Sequence, residues 1–406
     1  MNIDYLQYRE YILNNSYKEL YELTSSKLED HTSLAYHLFA MHYKLFNREL
    51  DINTYYNNLI KHRANFEAKK ESHPMEYAIY LARLGNTLPK RERVVLERIK
   101  LVEKALEIFN EKDGELWACV STNLASYYQN LGEFDKSFKI RLESYEILHS
   151  TKYNESKALA SGSLGSSYES FKQYDQALEL YREAVELTRD NPGRYYYPYS
   201  LNKLCIGYIN SGNLEEATIS LDELKSYTDE NQEYDILYLT AKAIYLKNSK
   251  RLSQKAEAEK ILRQLNSDES SFFIELELCD LLLYELRITG EEEVLLEVEE
   301  CIDILFEKTR EANLYYEFAR TYIQKSRLIL IRGDFEGANQ KLEEGKLFFQ
   351  SLDLMRLVKV VEDEMNRLET EFRKHKDILQ SNASFAEKLE KLELVEYMQQ
   401  ALNYQR

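Results

Sequence analysis

The stretch LGSSYESFKQYDQALELYREAVEL, Leu164–Leu187, alternates small and large residues at spacings that an α-helix brings onto one face. Leu164 and Tyr168 are four residues apart, and the small residue Ala177 begins a second periodic run. Residues three or four positions apart lie on the same side of a helix. The stretch therefore predicts two successive helices, with Gly165 and Ala177 placed where the helices cross closely.

The same pattern recurs every 40 residues. A lead leucine, a small residue after it and a leucine or tyrosine four positions on appear four times, and a second small residue follows in three of these units. The residues are Leu84, Leu124, Leu164 and Leu204; Gly85, Ala125, Gly165 and Cys205; Leu88, Tyr128, Tyr168 and Tyr208; and Ser137, Ala177 and Ala217. Because one helical hairpin cannot bury both of its faces, we expect such repeats to stack.

The pattern resembles the tetratricopeptide repeat in four places. These are residues 118–148, 158–188, 198–228 and 322–349. The resemblance implies an all-α fold, a right-handed superhelical solenoid of about nine helical hairpins with a long C-terminal helix. Gly132, Gly212 and Gly333 stand where this family turns between helices, and Lys172 replaces the glycine in one unit. The family's usual period is about 34 residues; the longer period here is similar to kinesin light chains, Pins-type scaffold proteins and bacterial Rap-like peptide sensors.

This pattern predicts that the chain is divided into four parts. We predict degenerate helical hairpins over residues 1–70 and repeats of period 40 over residues 71–230. Further degenerate hairpins, ending in one clearer repeat, occupy residues 231–351. Residues 352–406 form capping or coiled-coil helices.

A heptad-like seam marks the last part of the chain. Its apolar residues step by three and four: Leu354, Val358, Val361, Met365, Leu368, Phe372 and Leu379, with His375 at a core position. Ser384 and Glu387 form a capping box that opens a last helix. Two interpretations stay open: a helix that covers the final repeat, or an arm that forms a homodimer through a coiled coil.

Composition narrows the class of function. The 406 residues carry a formal net charge of −17, and nucleic-acid-binding proteins are usually basic, so we expect no nucleic-acid partner. The four cysteines form no CxxC motif, which favours a reducing cytoplasm over a disulfide framework. The N-terminal residues lack a signal-peptide pattern, and no long apolar run predicts a membrane span.

The sequence contains no recognisable catalytic motif. Neither a GxxxxGK[ST] phosphate loop nor an HExxH metal motif occurs, and His37 and His42 are too far apart around a helix to share a metal. We therefore expect neither an enzyme nor a cofactor or metal site.

The family resemblance assigns the inner surface to the first helix of each pair. The positions that this implies for peptide or protein binding carry mainly amides and hydroxyls, which can hydrogen-bond an extended peptide backbone. These residues are Arg83, Asn86, Asn123, Ser126, Asn130, Ser163, Ser166, Asn202 and Lys203. The leading interpretation is a non-enzymatic scaffold that binds a peptide or protein in a concave groove. The alternative is an intracellular peptide-sensing regulator that closes on its ligand, as in Rap-like proteins.

Overall fold

The computed structural model describes residues 9–10, 51–88, 94–190, 196–230, 235–266, 272–379 and 387. These residues are almost entirely α-helical and none of them forms a strand, so the predicted all-α fold is confirmed. Residues 1–8 and 11–50 of the degenerate hairpins predicted over residues 1–70, and the capping residue Ser384, lie outside the described residues.

Seventeen helices follow from residue 51 onward in the described part of the chain. They are α1 Ile52–Lys61, α2 Arg63–Lys69, α3 Pro74–Thr87, α4 Val94–Lys112, α5 Gly114–Asn130, α6 Phe134–His149, α7 Asn154–Ser170, α8 Tyr174–Arg189, α9 Tyr196–Asn210, α10 Leu214–Glu230, α11 Asp235–Lys247, α12 Leu252–Leu265, α13 Phe272–Thr289, α14 Glu292–Glu311, α15 Tyr315–Ile331, α16 Phe335–Ser351 and α17 Met355–Leu379. None of these helices combines the length and the apolar composition that a membrane span requires.

The turns at Gly132, Lys172, Gly212 and Gly333 share one hydrogen-bond pattern. After α7, the N–H of Gln173 donates to the carbonyl of Tyr168 at 2.9 Å, and the N–H of Lys172 donates to that of Glu169 at 2.8 Å. This pattern ends a helix with a left-handed residue, which is usually glycine. Residues with φ between 58° and 89° are Gly132, Lys172, Gly212, Gly290, Asn313, Gly333 and Asp353. The predicted turn positions are thus confirmed, including the lysine that replaces glycine.

Small residues occur where helices approach each other closely. A Cβ added at Gly85 would lie 3.1 Å from Val102 Cγ2 and 3.3 Å from the carbonyl oxygen of Arg98 on α4. The Cys205 thiol on α9 donates to the carbonyl oxygen of Ala217 on α10 at 3.6 Å. Cys205 and Ala217 occupy the two small positions of their repeat, so the close crossing predicted from the spacing is present there.

Contacts divide the chain into two compact units. The first comprises residues 1–129, 133–167 and 179–200, and the second comprises residues 130–132, 168–178 and 201–406. In the first unit, α3 packs on α4, and α1 and α2 pack on α3. In the second unit, the pairs α11–α12, α13–α14 and α15–α16 pack internally, and α12 contacts α13 while α14 contacts α15. Within this unit each of these helix pairs therefore packs against the next pair, as stacked repeats require.

Helix α17 packs on α15 and α16 of the same chain. The seam residues Leu354, Val358, Val361 and Leu368 are all buried, and the ring of Phe372 stacks on Phe335 with centroids 4.1 Å apart. This part of the seam therefore covers the preceding helix pair, as the capping interpretation predicts. The side chains of His375 and Leu379 lie outside the described set, and dimerisation through this segment stays a prediction.

A buried ion pair holds α17 against α15. The Arg327 guanidinium donates to Glu364 Oε1 at 2.8 Å from Nε, and both side chains are only 3% exposed. Removing one partner of a buried pair is costly because the other charge remains without compensation. The pair therefore specifies the register of α17 on the last repeat.

The Lys172 turn provides a test of this backbone analysis. We expect Lys172→Gly to stabilise the protein by about 1 kcal/mol, because a left-handed conformation costs a residue with a Cβ about 1–2 kcal/mol and the extra freedom of glycine in the unfolded chain offsets part of the gain. The measurement is the midpoint of urea unfolding.

Gly212→Ala is the matched control. Gly212 has a φ of +82° and no atom within 4 Å of an added Cβ, so this substitution changes only the backbone preference. The midpoint should fall by a similar amount. An unchanged midpoint in both variants would contradict the assignment.

Candidate functional site

Three of the predicted binding residues line one cavity in the first unit. Arg83 and Asn86 come from α3 and Asn123 comes from α5, and the cavity has a volume of about 270 Å³. The other lining residues are Ile79, Ala82, Phe109, Leu116, Cys119, Val120, Thr122, Leu148, Ser156 and Leu159. We call this the Asn123 cavity.

Helical spacing explains how the chain builds this cavity. On α3, Ile79, Ala82, Arg83 and Asn86 stand at positions i, i+3, i+4 and i+7, so they share one face. α5 contributes a similar face, and α7 adds Ser156 and Leu159. The first helices of three successive repeats therefore supply most of the wall.

The cavity has an apolar floor and a polar rim. Phe109, Leu116 and Leu148 are at most 1% exposed and form part of the floor. The rim carries amide and hydroxyl groups, together with the guanidinium of Arg83. Such a site can take an apolar group while its rim hydrogen-bonds a neighbouring polar group.

The two rim asparagines differ in their surroundings. The hydroxyl of Tyr127 donates to Asn86 Oδ1 at 2.7 Å, and burial raises the pKa of Tyr127, so this phenol stays protonated as a donor. The bond fixes the orientation of the Asn86 amide, because only its oxygen can accept. No hydrogen bond joins the side-chain amide of Asn123 to another residue in the described part of the chain.

Cys119 lines the cavity but lacks the properties of a nucleophile. Its thiol donates to Ser156 Oγ at 3.4 Å, and burial raises the pKa of Cys119 to about 11. Because the thiolate is the reactive form, a raised pKa makes the group inert near neutrality.

The remaining predicted residues of the first unit lie outside this cavity. Ser126 is exposed, and its hydroxyl donates to the carbonyl of Thr122 at 3.1 Å. Ser163 is half-buried. The Ser166 hydroxyl donates to the Gly162 carbonyl at 2.9 Å and accepts from Tyr181 at 3.2 Å.

Three predicted residues belong to the second unit. Asn202 is 7% exposed, and its Nδ2 donates to the carbonyl oxygen of Leu237 at 2.8 Å. The backbone that its amide binds is therefore that of α11 in its own chain, and a role in binding a ligand stays a prediction. Lys203 and Asn130 are half-buried, and the structure does not bring them to the Asn123 cavity.

Residues 117–190 match the family model described as tetratricopeptide repeat. These residues are tetratricopeptide repeats. They span most of α5 together with α6, α7 and α8, and they include Asn123 and Ser156 of the cavity.

The chain is similar to several solved structures. A Rap protein, in a complex with Competence and Sporulation Factor, is 13% identical and aligns with a TM-score of 0.55 over 91% of this chain and 97% of its own. Yeast Tom70 is 15% identical over 87% of this chain and 69% of its own, with a TM-score of 0.48. A putative kinesin light chain from Podosopora anserina is 18% identical over 47% of this chain and 93% of its own, with a TM-score of 0.40. A comparison with curated proteins found no match.

Sequence reasoning missed one residue of the tetratricopeptide repeats. Arg141 lies on α6, is 6% exposed, and donates to Gln129 Oε1 at 2.6 Å and to Ser167 Oγ at 2.7 Å. The signal was present, because Ser137, Arg141, Ser144 and Leu148 form one buried stripe on this helix. A charged residue within a core stripe indicates a buried cation.

A second feature lies beside the cavity, at the start of α5. Arg9 forms ion pairs with Asp113 and Glu115, and its Nη1 donates to the Tyr153 hydroxyl at 3.2 Å. Leu116 and Ser156 follow these acidic and aromatic residues along the chain and line the cavity. Arg9 thus contacts residues at the starts of two helices that supply the cavity wall, α5 and α7.

Cys119 offers a direct check on the electrostatics of the cavity. We expect its alkylation by iodoacetamide at pH 8 to be at least about a hundredfold slower than that of an unperturbed cysteine, because the higher pKa lowers the thiolate fraction by that factor. The rate should increase about tenfold per pH unit until the pH approaches the pKa.

The measurement is mass spectrometry of the peptide that carries Cys119. The same cysteine in urea-unfolded protein is the control and should react at the ordinary rate. Rapid alkylation in the folded protein would show that the thiol is not held in a desolvated environment.

Proposed function

We propose that this chain is a non-enzymatic scaffold that binds a peptide or protein partner at the Asn123 cavity and along the adjoining inner face of its repeats. The observation that carries the proposal is the combination of an apolar floor with amide groups at the rim. An extended peptide presents the same two features, an apolar side chain beside backbone donors and acceptors.

The size of the cavity supports a side-chain anchor. Its volume of about 270 Å³ is at the lower end of ligand pockets, which span about 300–1,000 Å³. It therefore suits one or two side chains of a longer ligand. The Asn123 amide would hold the neighbouring peptide backbone, and Arg83 would favour an acidic group at the rim.

The comparisons agree with this class of function. The Rap structure with the same fold contains Competence and Sporulation Factor as its partner. The four cysteines are free thiols, which supports a reducing cytoplasm as the compartment. The proposal requires neither a cofactor nor a metal, and in the described residues no cluster of histidine, cysteine and acidic side chains would hold a metal ion.

A randomised peptide library provides the test. The wild-type protein should enrich peptides with a shared apolar residue. Asn123→Ala should weaken the enriched peptides about tenfold, since it removes about one to two hydrogen bonds to backbone. Ala82→Met should weaken them at least as much, because Ala82 lines the cavity and the longer side chain would fill it.

Asn53→Ala is the matched control for the library experiment. Asn53 is exposed on α1 of the same unit, so its amide should not contribute. Enrichment of no peptide by the wild type, or equal binding by all variants, would refute the proposal.

The Arg9 contacts favour a second candidate, a regulator that changes conformation with its ligand. A ligand that moves α5 or α7 would also move Asp113, Glu115 and Tyr153, to which Arg9 is bound. Adding an enriched peptide should then change the radius of gyration in small-angle scattering, and Arg9→Ala should reduce that change. A scaffold without a conformational response would show the same radius with and without peptide.

A further inference from the structure

Arg141 is a buried cation whose partners are both neutral. Its guanidinium donates to the Gln129 amide oxygen and the Ser167 hydroxyl, and its Nε has no hydrogen-bond partner among the described residues. The side chain is only 6% exposed. A buried charge normally has an opposite charge as partner, because desolvation is otherwise uncompensated.

The rest of the described chain follows that rule. The other three buried cations each lie within 3 Å of a carboxylate oxygen. The pairs are Arg327 with Glu364 at 2.7 Å, Arg320 with Glu317 at 2.5 Å and Lys247 with Glu277 at 2.5 Å. Arg141 is the exception, although the chain has 70 acidic residues to 53 basic ones.

The electrostatics of this position agree with the geometry. Burial lowers the pKa of Arg141 to about 10, and the groups that oppose this shift are the phenols of Tyr181 and Tyr199. Arg141 still carries its proton near neutrality. The described part of the chain therefore maintains a desolvated positive charge without supplying an anion to it.

Gln129 covers the buried guanidinium, and it stands on a face of α5 that also contributes to the Asn123 cavity. Gln129 lies seven residues after the cavity residue Thr122, so the two share one face of α5, about 10 Å apart along its axis. Gln129 is half-buried and contacts the guanidinium directly at 2.6 Å. Rotation of this one flexible side chain would uncover part of the guanidinium on the α5 face that continues from the cavity.

We propose that Arg141 is an anion-binding residue that takes a carboxylate of the peptide anchored in the Asn123 cavity, with the carboxylate replacing the Gln129 amide oxygen. This inference rests on the proposed function. The carboxylate is either an Asp or Glu side chain or the free C-terminus of the peptide. Its distance from the apolar anchor is two turns of α5, which a few extended residues span.

One arm of the test does not depend on peptide binding. Sodium formate is a small carboxylate probe, and sodium chloride of equal ionic strength is the reference. Formate should raise the thermal midpoint of the wild type by about 2 °C relative to chloride, because binding to the folded state stabilises it. Arg141→Gln should lose this difference. An equal midpoint in both salts for the wild type, or protection by inorganic phosphate but not by formate, would overturn the proposal.

Gln129→Glu tests the same site with Arg141 in place. The new carboxylate would stand where the amide oxygen now accepts from Arg141, so the variant should have a higher thermal midpoint than wild type and no response to formate. Gln340→Glu, at an exposed position on α16, is the matched control and should keep the response. If Arg141→Gln fails to fold, Gln129→Glu still tests the site, because it keeps Arg141 in place. A formate response that persists in Gln129→Glu would contradict the assignment.

The second arm uses the randomised peptide library with free and amidated C-termini. Wild type should select a carboxylate at a fixed distance from the apolar residue, and Gln129→Glu should lose this acidic preference by about tenfold or more while keeping the apolar one. Loss of the preference on amidation identifies the C-terminus as the source. Apolar selection without any acidic preference overturns the role of Arg141 and leaves the proposed function intact. If no peptide is selected, the proposed function fails, and the formate arm still decides whether Arg141 binds an anion.

Discussion

The close approach of two helix backbones at small residues is the constraint on which the other packing depends. At the crossing of α9 and α10, the Cys205 thiol reaches the carbonyl of Ala217 on the facing helix. At the equivalent crossing of α15 and α16, the Ser326 hydroxyl donates to the carbonyl of Ala338 at 2.8 Å. A larger side chain at these points would separate the helices and expose the large residues that fill the gaps on either side. Two small residues twelve positions apart in the sequence therefore mark where the two helices of a hairpin cross.

This constraint explains why the helix pairs of the fold could be predicted from the sequence. The recurrence of small and large residues marks one helix pair after another, and it works even where a turn residue departs from glycine. Lys172 adopts a φ of 60° in a turn with the same hydrogen bonds as its glycine-containing counterparts. Helix packing outweighs the local preference of one residue, so the repeat tolerates an unfavourable residue at this position.

The candidate site was only partly predictable. Position within the first helix of a pair grouped Arg83, Asn86 and Asn123, which line one cavity. Arg83 and Asn86 share one face of α3, and Asn123 follows Arg83 by one 40-residue period. The same reasoning also included Asn202. Its amide already donates to the carbonyl oxygen of Leu237, which lies 35 residues later in the chain. Such a bond depends on the distance between two helices, which a local pattern does not contain. The partners of Arg141 were unpredictable for the same reason, since Gln129 and Ser167 come from two other helices, α5 and α7.

The position of Gly85 links backbone packing to ligand size. Gly85 lies on α3 against Val102, and the same helix presents Ala82, Arg83 and Asn86 to the cavity. The size of the residue at this crossing therefore sets how far the α3 wall stands from α4, which contributes Phe109 to the cavity floor. Related chains with alanine or serine here would select bulkier guests without any change among the lining residues themselves. The spacing between helices thus determines which ligand sizes the cavity accepts, and a comparison of the lining residues alone would miss this effect.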